Sequence, residues 1–225
     1  MTYLSHIWLL VKKDLISELR SKEIISSMLI FSVLIVVIFS FAFEPDKETI
    51  QKVFPGIIWV SFIFAGTLGL NRSFISEQDN DAIMGLMLGI IEPGVIYLAK
   101  SITNFVFLLV IQLMTLPLMF VLFDTSVKGS YLHLVLVIIL GSWGFIFLGT
   151  FMSTFSVNTK FSEILLPIIL FPIIVPLLIA AVQATEIVTN QGSIGEFIVW
   201  LKVLVAFDVI FTVIPWLLFD YLLEV

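Results

Sequence analysis

The sequence predicts an all-α integral membrane protein, in which six transmembrane helices are preceded by an amphipathic helix at the membrane interface. Two observations support this prediction. Of the 225 residues, 60% are hydrophobic and only 12% are charged, whereas ordinary soluble domains are about half apolar and a quarter charged. The apolar residues also run in stretches of the length that a membrane-spanning helix needs, about 20 residues. This composition excludes a water-soluble globule, and it equally excludes a disordered chain.

Charge and motif content exclude several function classes. The net charge of -6 argues against nucleic acid as a partner, because phosphate binding needs a basic face. The chain has no Cys, so disulfides, thiolate metal sites and Cys nucleophiles are excluded. The nearest spacing to a phosphate-binding loop, Gly144 to Gly149 before Thr150, lacks the Lys of that motif. We therefore expect no enzyme and no ATPase activity from this chain by itself.

Six apolar windows give the predicted spans, and together they form a single transmembrane domain over residues 1–225. The short connections leave no room for a folded soluble domain. The fifth window carries three prolines and the sixth carries two charges, Lys202 and Asp208. The predicted spans are 24–43, 53–70, 102–123, 131–157, 164–185 and 197–219.

Residues 1–23 predict a different kind of helix. Apolar residues recur at helical spacing, while His6 and several cations occupy the other faces. An amphipathic helix with Trp8 and Lys side chains suits the headgroup region of a membrane. We expect an elbow helix that lies at the surface before the first span. Its apolar positions are Leu4, Ile7, Trp8, Val11, Leu15 and Leu19.

The distribution of Lys and Arg predicts that both termini are cytoplasmic. With that orientation, cytoplasmic segments contain Lys12, Lys13, Arg20, Lys22, Arg72, Lys100 and Lys160. The external segments contain Lys47, Lys52 and Lys128.

The cytoplasmic connection at 71–100 is the strongest candidate for a functional segment. Ser76, followed by Glu77, Gln78, Asp79 and Asp81, is typical of a helix N-terminus, where the helix dipole favours acidic residues. Apolar residues then recur at helical spacing, which predicts a short amphipathic helix that offers a docking surface to another protein. The alternative is a solvated turn that only links two spans. The apolar positions of this helix are Ile83, Leu86, Met87 and Ile90.

Asp208 is the intramembrane polar candidate. A carboxylate near the centre of a span costs about 2.5–3.5 kcal/mol even on insertion scales, so such residues usually face protein or water. It could serve a substrate or proton path, or it could make a structural hydrogen bond to a neighbouring helix. Lys202 could extend to the outer interface. His6 and His133 could in principle ligate haem iron, but interfacial His residues are more often solvated.

Three segments carry a resemblance to a known family. The first runs from Pro55-Gly-Ile-Ile-Trp-Val through Leu70-Asn-Arg-Ser-Phe and Glu77 to Leu98-Ala-Lys. The second is the proline-containing run from Leu165 to Pro176, and the third surrounds Asp208 from Ala206 to Phe211. Together these segments, which spread along most of the chain, resemble the haem exporter B family, the membrane subunit of the cytochrome c maturation ABC transporter.

The resemblance implies a six-span permease in the bacterial plasma membrane that works with a separate ATP-binding subunit, with two copies of each. It also implies a haem-handling membrane protein and a small accessory subunit as partners. The expected role is to couple ATP hydrolysis to haem delivery or to release of the haem-loaded chaperone. Haem would be a transported or handled ligand, not a firmly bound cofactor, and no metal site is expected. The partner-coupling residues would be Glu77, Gln78, Asp79 and Asp81.

Two other functions fit the same residues. One is an exporter of the wider ABC-2 class with a lipid or drug-like cargo, to which the resemblance also extends. The other is a proton-coupled secondary carrier that uses Asp208. An intramembrane enzyme is the weakest class, because no catalytic constellation of residues is found in the sequence.

Overall fold

The computed structural model describes residues 3–42, 47–78, 93–156 and 162–223, and within these ranges the chain is helical with short turns and no strand. The prediction of an all-α fold is confirmed. The helices are α1 (Tyr3–Ser21), α2 (Glu23–Ala42), α3 (Lys47–Gln78), α4 (Pro93–Leu122), α5 (Tyr131–Ser156), α6 (Ser162–Asn190) and α7 (Ile194–Leu223).

Helices α2 to α7 are each long and apolar enough to cross a membrane, which confirms the predicted count of six spans. Their boundaries differ from the predicted windows mainly where a helix continues past its apolar run. Helix α4, for example, begins at Pro93, nine residues before its window, since proline is favoured in the first turn of a helix. The spanning segments are Glu23–Ala42, Glu48–Ser73, Gly94–Leu122, Tyr131–Ser153, Leu165–Asn190 and Ile194–Leu218.

The interpretation of Ser76 as the beginning of a helix was wrong. Ser76, Glu77 and Gln78 form the end of α3, because neither Gly nor Pro interrupts the chain between Leu70 and Gln78. Helices therefore occupy both ends of the predicted connection at 71–100. Asp79, Asp81 and the predicted amphipathic helix at 83–90 lie outside the described residues.

Helices α3 and α5 form the centre of the bundle. In the membrane-spanning stretches of α3 and α5, 72% of the residues are buried inside the protein, whereas the buried share is 17% in α2 and 22% in α7. Helix α5 contacts α3, α4, α6 and α7, and its small residues allow these close approaches. A side-chain carbon at Gly141 would overlap the indole of Trp59, and one at Gly149 would overlap Leu70.

Hydrogen bonds between side chains join the spans at several depths. The Trp59 indole N–H donates to Thr185 Oγ1 at 2.9 Å, which links α3 to α6. The Gln112 amide donates to Ser142 Oγ at 2.6 Å and links α4 to α5. The Tyr97 hydroxyl donates to the backbone oxygen of Phe147 at 3.1 Å. In hydrocarbon such bonds remove polar groups from contact with lipid.

Gly141 and Gly56 give a matched test of the packing around α5. We expect Gly141→Ala to destabilise the bundle by about 1–3 kcal/mol, because the added methyl group must displace the Trp59 ring. Gly56→Ala should leave stability unchanged or raise it by about 0.5–1 kcal/mol, because open space surrounds that position within 4 Å. Unfolding of the two variants in mixed detergent micelles measures the difference. Equal stability of the two variants would contradict this packing.

Candidate functional site

Helix α1 is attached to the first turns of α4 by an ion pair that is largely buried. Lys100 Nζ lies 2.9 Å from Asp14 Oδ2, and the side chains of Lys100 and Asp14 are 9% and 11% exposed. Lys13, which is half-exposed, lies 2.9 Å from the other carboxylate oxygen of Asp14. Removing two charges from water is costly, so this attachment depends on both partners being present.

Apolar contacts and one further hydrogen bond complete the attachment of α1. Ile7 and Val11 pack against Val95 and Ala99 of α4. The Trp216 indole N–H at the end of α7 donates to the Tyr3 hydroxyl at 3.0 Å. Helix α1 thus contacts α4 and the C-terminal part of α7.

The junction between α1 and α2 is also fixed. Lys22 has a φ of 57° between the two helices, the left-handed conformation that often ends a helix. Glu18 is only 4% exposed, and its Oε1 accepts a hydrogen bond at 2.8 Å from the backbone N–H of Ile25 in the first turn of α2. A carboxylate at that place satisfies a backbone donor that has no partner within its own helix.

The apolar residues of α1, which predicted an amphipathic helix, lie in two different environments. Ile7 and Val11 are buried in the protein, whereas Leu4, Trp8 and Leu19 are 76%, 64% and 69% exposed. An exposed apolar strip next to the first span is what an interfacial helix requires. Its location at the membrane surface stays a prediction.

Two of the four predicted partner-coupling residues lie on a described helix. Glu77 and Gln78 belong to the last turn of α3, but their side chains, like Asp79 and Asp81 as a whole, lie outside what the structure describes. The connection that contains them leads directly into α4 at Pro93. Lys100, two turns further along α4, is the residue that binds Asp14 of α1. The N-terminal part of α4 therefore follows the connection in the chain and also binds α1.

Asp208 lies where α7 packs against the small residues of α5. It is 7% exposed, and a side-chain carbon at Gly144 would overlap its Oδ1. The backbone of Gly144 thus lies beside the carboxylate, yet neither oxygen has a hydrogen-bond partner of good geometry among the described residues. Burial against another helix agrees with the expectation that a carboxylate in a span faces protein or water. Its two alternative roles, a substrate or proton path and a structural hydrogen bond to a neighbouring helix, stay predictions.

Asp208 lines a groove of about 370 Å³ between α5 and α7. Its walls are apolar apart from Asp208 and a hydrogen bond of 3.0 Å from the Trp143 indole N–H to Thr212 Oγ1. Valines of α7 form one wall and contribute exposed side chains: Val205, Val209 and Val213 are 43%, 57% and 43% exposed. The groove therefore opens on the lipid-facing side of the bundle at the depth of Asp208.

The other polar candidates, Lys202, His133 and His6, do not line this groove. Lys202 is exposed on α7, six residues before Asp208. The His133 ring packs against Phe197, with ring centroids 4.8 Å apart, and His6 lies half-buried on α1. The two histidines are thus on different helices, α5 and α1. No group of three or more His, Cys, Asp or Glu residues in the described ranges is arranged to hold a metal ion.

Sequence reasoning missed the Asp14–Lys100 pair and the buried amides of α4. Asp14 looked like one more polar residue of an amphipathic helix, and Lys100 was counted as a residue of a cytoplasmic loop. Asn104 and Gln112 are each 2% exposed. An amide inside an apolar span is costly to bury unless it is hydrogen-bonded. This cost could have singled out both amides from the sequence.

These features define a multi-pass α-helical membrane protein with a buried ion pair between α1 and α4 and a buried carboxylate beside an apolar groove between two spans. The profile of the CcmB protein family matches residues 5–219. The chain therefore belongs to the CcmB protein family.

Three similar proteins share the same name. Heme exporter protein B of Rhodobacter capsulatus is 26% identical over 170 residues, which cover 76% of this chain and 78% of that protein. The protein of the same name from Haemophilus influenzae is 24% identical over 177 residues, or 79% of this chain and 80% of the relative. That from Pseudomonas aeruginosa is 22% identical over 182 residues, or 81% of each. The resemblance found in the sequence is confirmed.

A double-mutant cycle tests the attachment of α1. We expect Asp14→Leu and Lys100→Met each to cost about 3 kcal/mol, because either change leaves the opposite charge buried without this counterion. The double variant should be more stable than either single variant, because both charges are gone. Unfolding in mixed micelles measures all four proteins. Additive losses in the double variant would show that the two residues do not interact.

Proposed function

We propose that this chain is the membrane permease subunit of an ABC transporter that serves cytochrome c maturation. The observation that supports this most strongly is the family match over residues 5–219. The relatives' name, heme exporter protein B, favours haem as the molecule that the complex handles. The six spans agree with a permease that leaves ATP hydrolysis to a separate subunit.

In this proposal, haem is a substrate of the complex and not a resident cofactor of this chain. The complex either delivers haem across the bacterial plasma membrane or releases a haem-loaded chaperone outside it. A haem-handling membrane protein and a small accessory subunit complete the assembly. Two copies of this chain match paired ATP-binding subunits.

The proposed docking surface for the ATP-binding subunit is the cytoplasmic connection that contains Glu77, Gln78, Asp79 and Asp81. Closure of paired ATP-binding subunits would push on this connection. Movement there reaches α4 at Pro93, and the Asp14–Lys100 pair passes it on to α1. The spans could then rock between two packed arrangements, as in other domain rearrangements driven from an interface.

Deletion of the gene tests the proposal as a whole. We expect c-type cytochromes to lose covalent haem, as measured by haem staining of denatured gels, while b-type haem remains. Reintroducing the intact chain should restore the stain. Normal c-type haem in the deletion strain would contradict the proposal and would favour an exporter of a different cargo.

Charge reversal tests the docking surface. We expect Glu77→Lys with Asp79→Lys to abolish covalent haem attachment, because the acidic surface that contacts the ATP-binding subunit is inverted. The matched control is Glu48→Lys with Glu196→Lys. It changes the same number of charges at exposed positions on the predicted external side, where ion pairs contribute little. Haem staining and membrane levels are measured for both proteins.

The control separates coupling from general damage. If the Glu77 and Asp79 variant is present in the membrane at normal levels and supports normal haem attachment, this docking surface is wrong. If the control variant also abolishes attachment, the effect is due to altered charge and not to the coupling connection.

A further inference from the structure

Helix α1 separates its acidic and basic residues onto different sides. Its two acids, Asp14 and Glu18, share a face with Ile7 and Val11, because spacings of three and four residues bring side chains to one side of a helix. That face packs against the protein. Asp14 is in the ion pair with α4, and Glu18 accepts a hydrogen bond from the first turn of α2. Both carboxylates therefore lie away from the outer surface of α1.

The outer surface of α1 is apolar and cationic. Leu4, Trp8 and Lys12 follow one another at four-residue spacing, and all three are exposed. Leu19 and Arg20, in the last turn, are exposed as well. Neither acidic side chain of α1 is exposed. This surface is therefore positive, although the net charge of the whole chain is -6.

The neighbouring charges do not cancel this positive surface. Asp14 lies between two cations, Lys13 and Lys100, so that cluster has one positive charge in excess. At the junction with α2, the exposed Lys22 is followed by the exposed Glu23, and these two charges offset each other. The cations of α1 are thus left to attract an anion from outside the chain.

Contacts at both ends and in the middle hold α1 beside the ends of three spans. At one end, the Tyr3 hydroxyl accepts a hydrogen bond from Trp216, inside the spanning segment Ile194–Leu218. The middle of α1 packs on the first turns of the segment Gly94–Leu122, and α1 is followed closely by the segment Glu23–Ala42. Six successive crossings bring the starts of the first and third spans and the end of the sixth to the same membrane boundary. This arrangement favours a position of α1 along that boundary.

We propose that α1 lies at this boundary and binds the headgroups of anionic phospholipids, such as phosphatidylglycerol, in preference to zwitterionic phospholipids. Leu4 and Trp8 enter the region between headgroups and acyl chains, where apolar and indole side chains are favoured. Lys12 and Arg20 contact lipid phosphates, and the Arg20 guanidinium can donate to two phosphate oxygens at once. Zwitterionic lipid offers the same phosphate but adds a cation of its own, so the positive surface of α1 attracts it less.

The preference is expected to be local to α1. Attraction between charges falls off over about 8–10 Å at moderate ionic strength, so the negative net charge of the whole chain does not prevent binding at a cationic helix. The inference uses only the spans and the charges of α1, and it does not depend on the proposed function.

Quenching of Trp8 fluorescence by brominated lipid tests this inference. The full chain is reconstituted in vesicles with one fixed ratio of phosphatidylcholine to phosphatidylglycerol. In one set all phosphatidylglycerol is brominated in the acyl chain near the headgroup, and in the other set an equal amount of phosphatidylcholine is. Each protein is measured with and without Trp8→Phe, and the difference gives the signal of Trp8. We expect brominated phosphatidylglycerol to quench Trp8 more strongly, because each cation enriches anionic lipid by up to about fivefold.

Removal of two cations tests the chemistry of the contact. Lys12→Gln with Arg20→Gln should make quenching by the two lipids nearly equal, while Trp8 is still quenched because the apolar side chains are unchanged. The matched control, Lys52→Gln with Lys128→Gln, removes two exposed cations on the predicted external side and should keep the preference. In the unchanged chain, salt at about 1 M should weaken the preference, because charges are then screened within about 3 Å.

Four results would overturn the inference. Absence of quenching by either lipid would show that α1 does not lie at the membrane boundary. Equal quenching by the two lipids in the unchanged chain would exclude selection of anionic lipid. A preference that persists without Lys12 and Arg20, or that is lost equally in the control, would show that the cations of α1 do not cause it. The vesicles contain no ATP-binding subunit and no cytochrome, so each of these results leaves the proposed function to its own test by haem staining.

Discussion

The structure depends on one constraint: inside hydrocarbon, a polar group must find its partner within the protein. Helices satisfy this for the backbone, and hydrogen bonds between spans satisfy it for side chains such as Trp59 with Thr185 and Gln112 with Ser142. The small residues of α5 allow the spans to approach closely enough for these bonds to form. Polar atoms of Asn104 and Asp208 remain without such a partner in the described residues.

The same constraint determines where charge occurs. Most charged residues lie near the ends of the spans. Among the described ion pairs, Asp14 with Lys100 is the most buried, and it joins α1 to the end of α4 that follows the predicted cytoplasmic connection. The proposed energy source is a separate subunit, so force must enter the bundle from outside the membrane. In the proposed function, α1 and α4, which the Asp14–Lys100 pair joins, would receive that force.

The sequence predicted the spans well because about 20 apolar residues are needed to cross hydrocarbon, and this signal is local. It also singled out Asp208, since a carboxylate in an apolar run is costly wherever the helix packs. The sequence did not predict contacts between segments that are distant along the chain. Asp14 and Lys100 are separated by 86 positions, and no local pattern indicates that they meet. It also failed at Ser76, where a plausible capping residue lies inside a helix that simply continues. The surroundings of the coupling residues Glu77, Gln78, Asp79 and Asp81 stay predictions.

We propose that this membrane bundle depends on ATP hydrolysis by another subunit. Inactivating the catalytic site of the ATP-binding partner, while this chain remains in the membrane at its normal level, tests this dependence most directly. We expect c-type cytochromes then to lack covalent haem, as they would without this chain. Normal haem attachment under that condition would contradict the dependence on ATP hydrolysis, and it would favour a carrier that draws its energy from protons through Asp208.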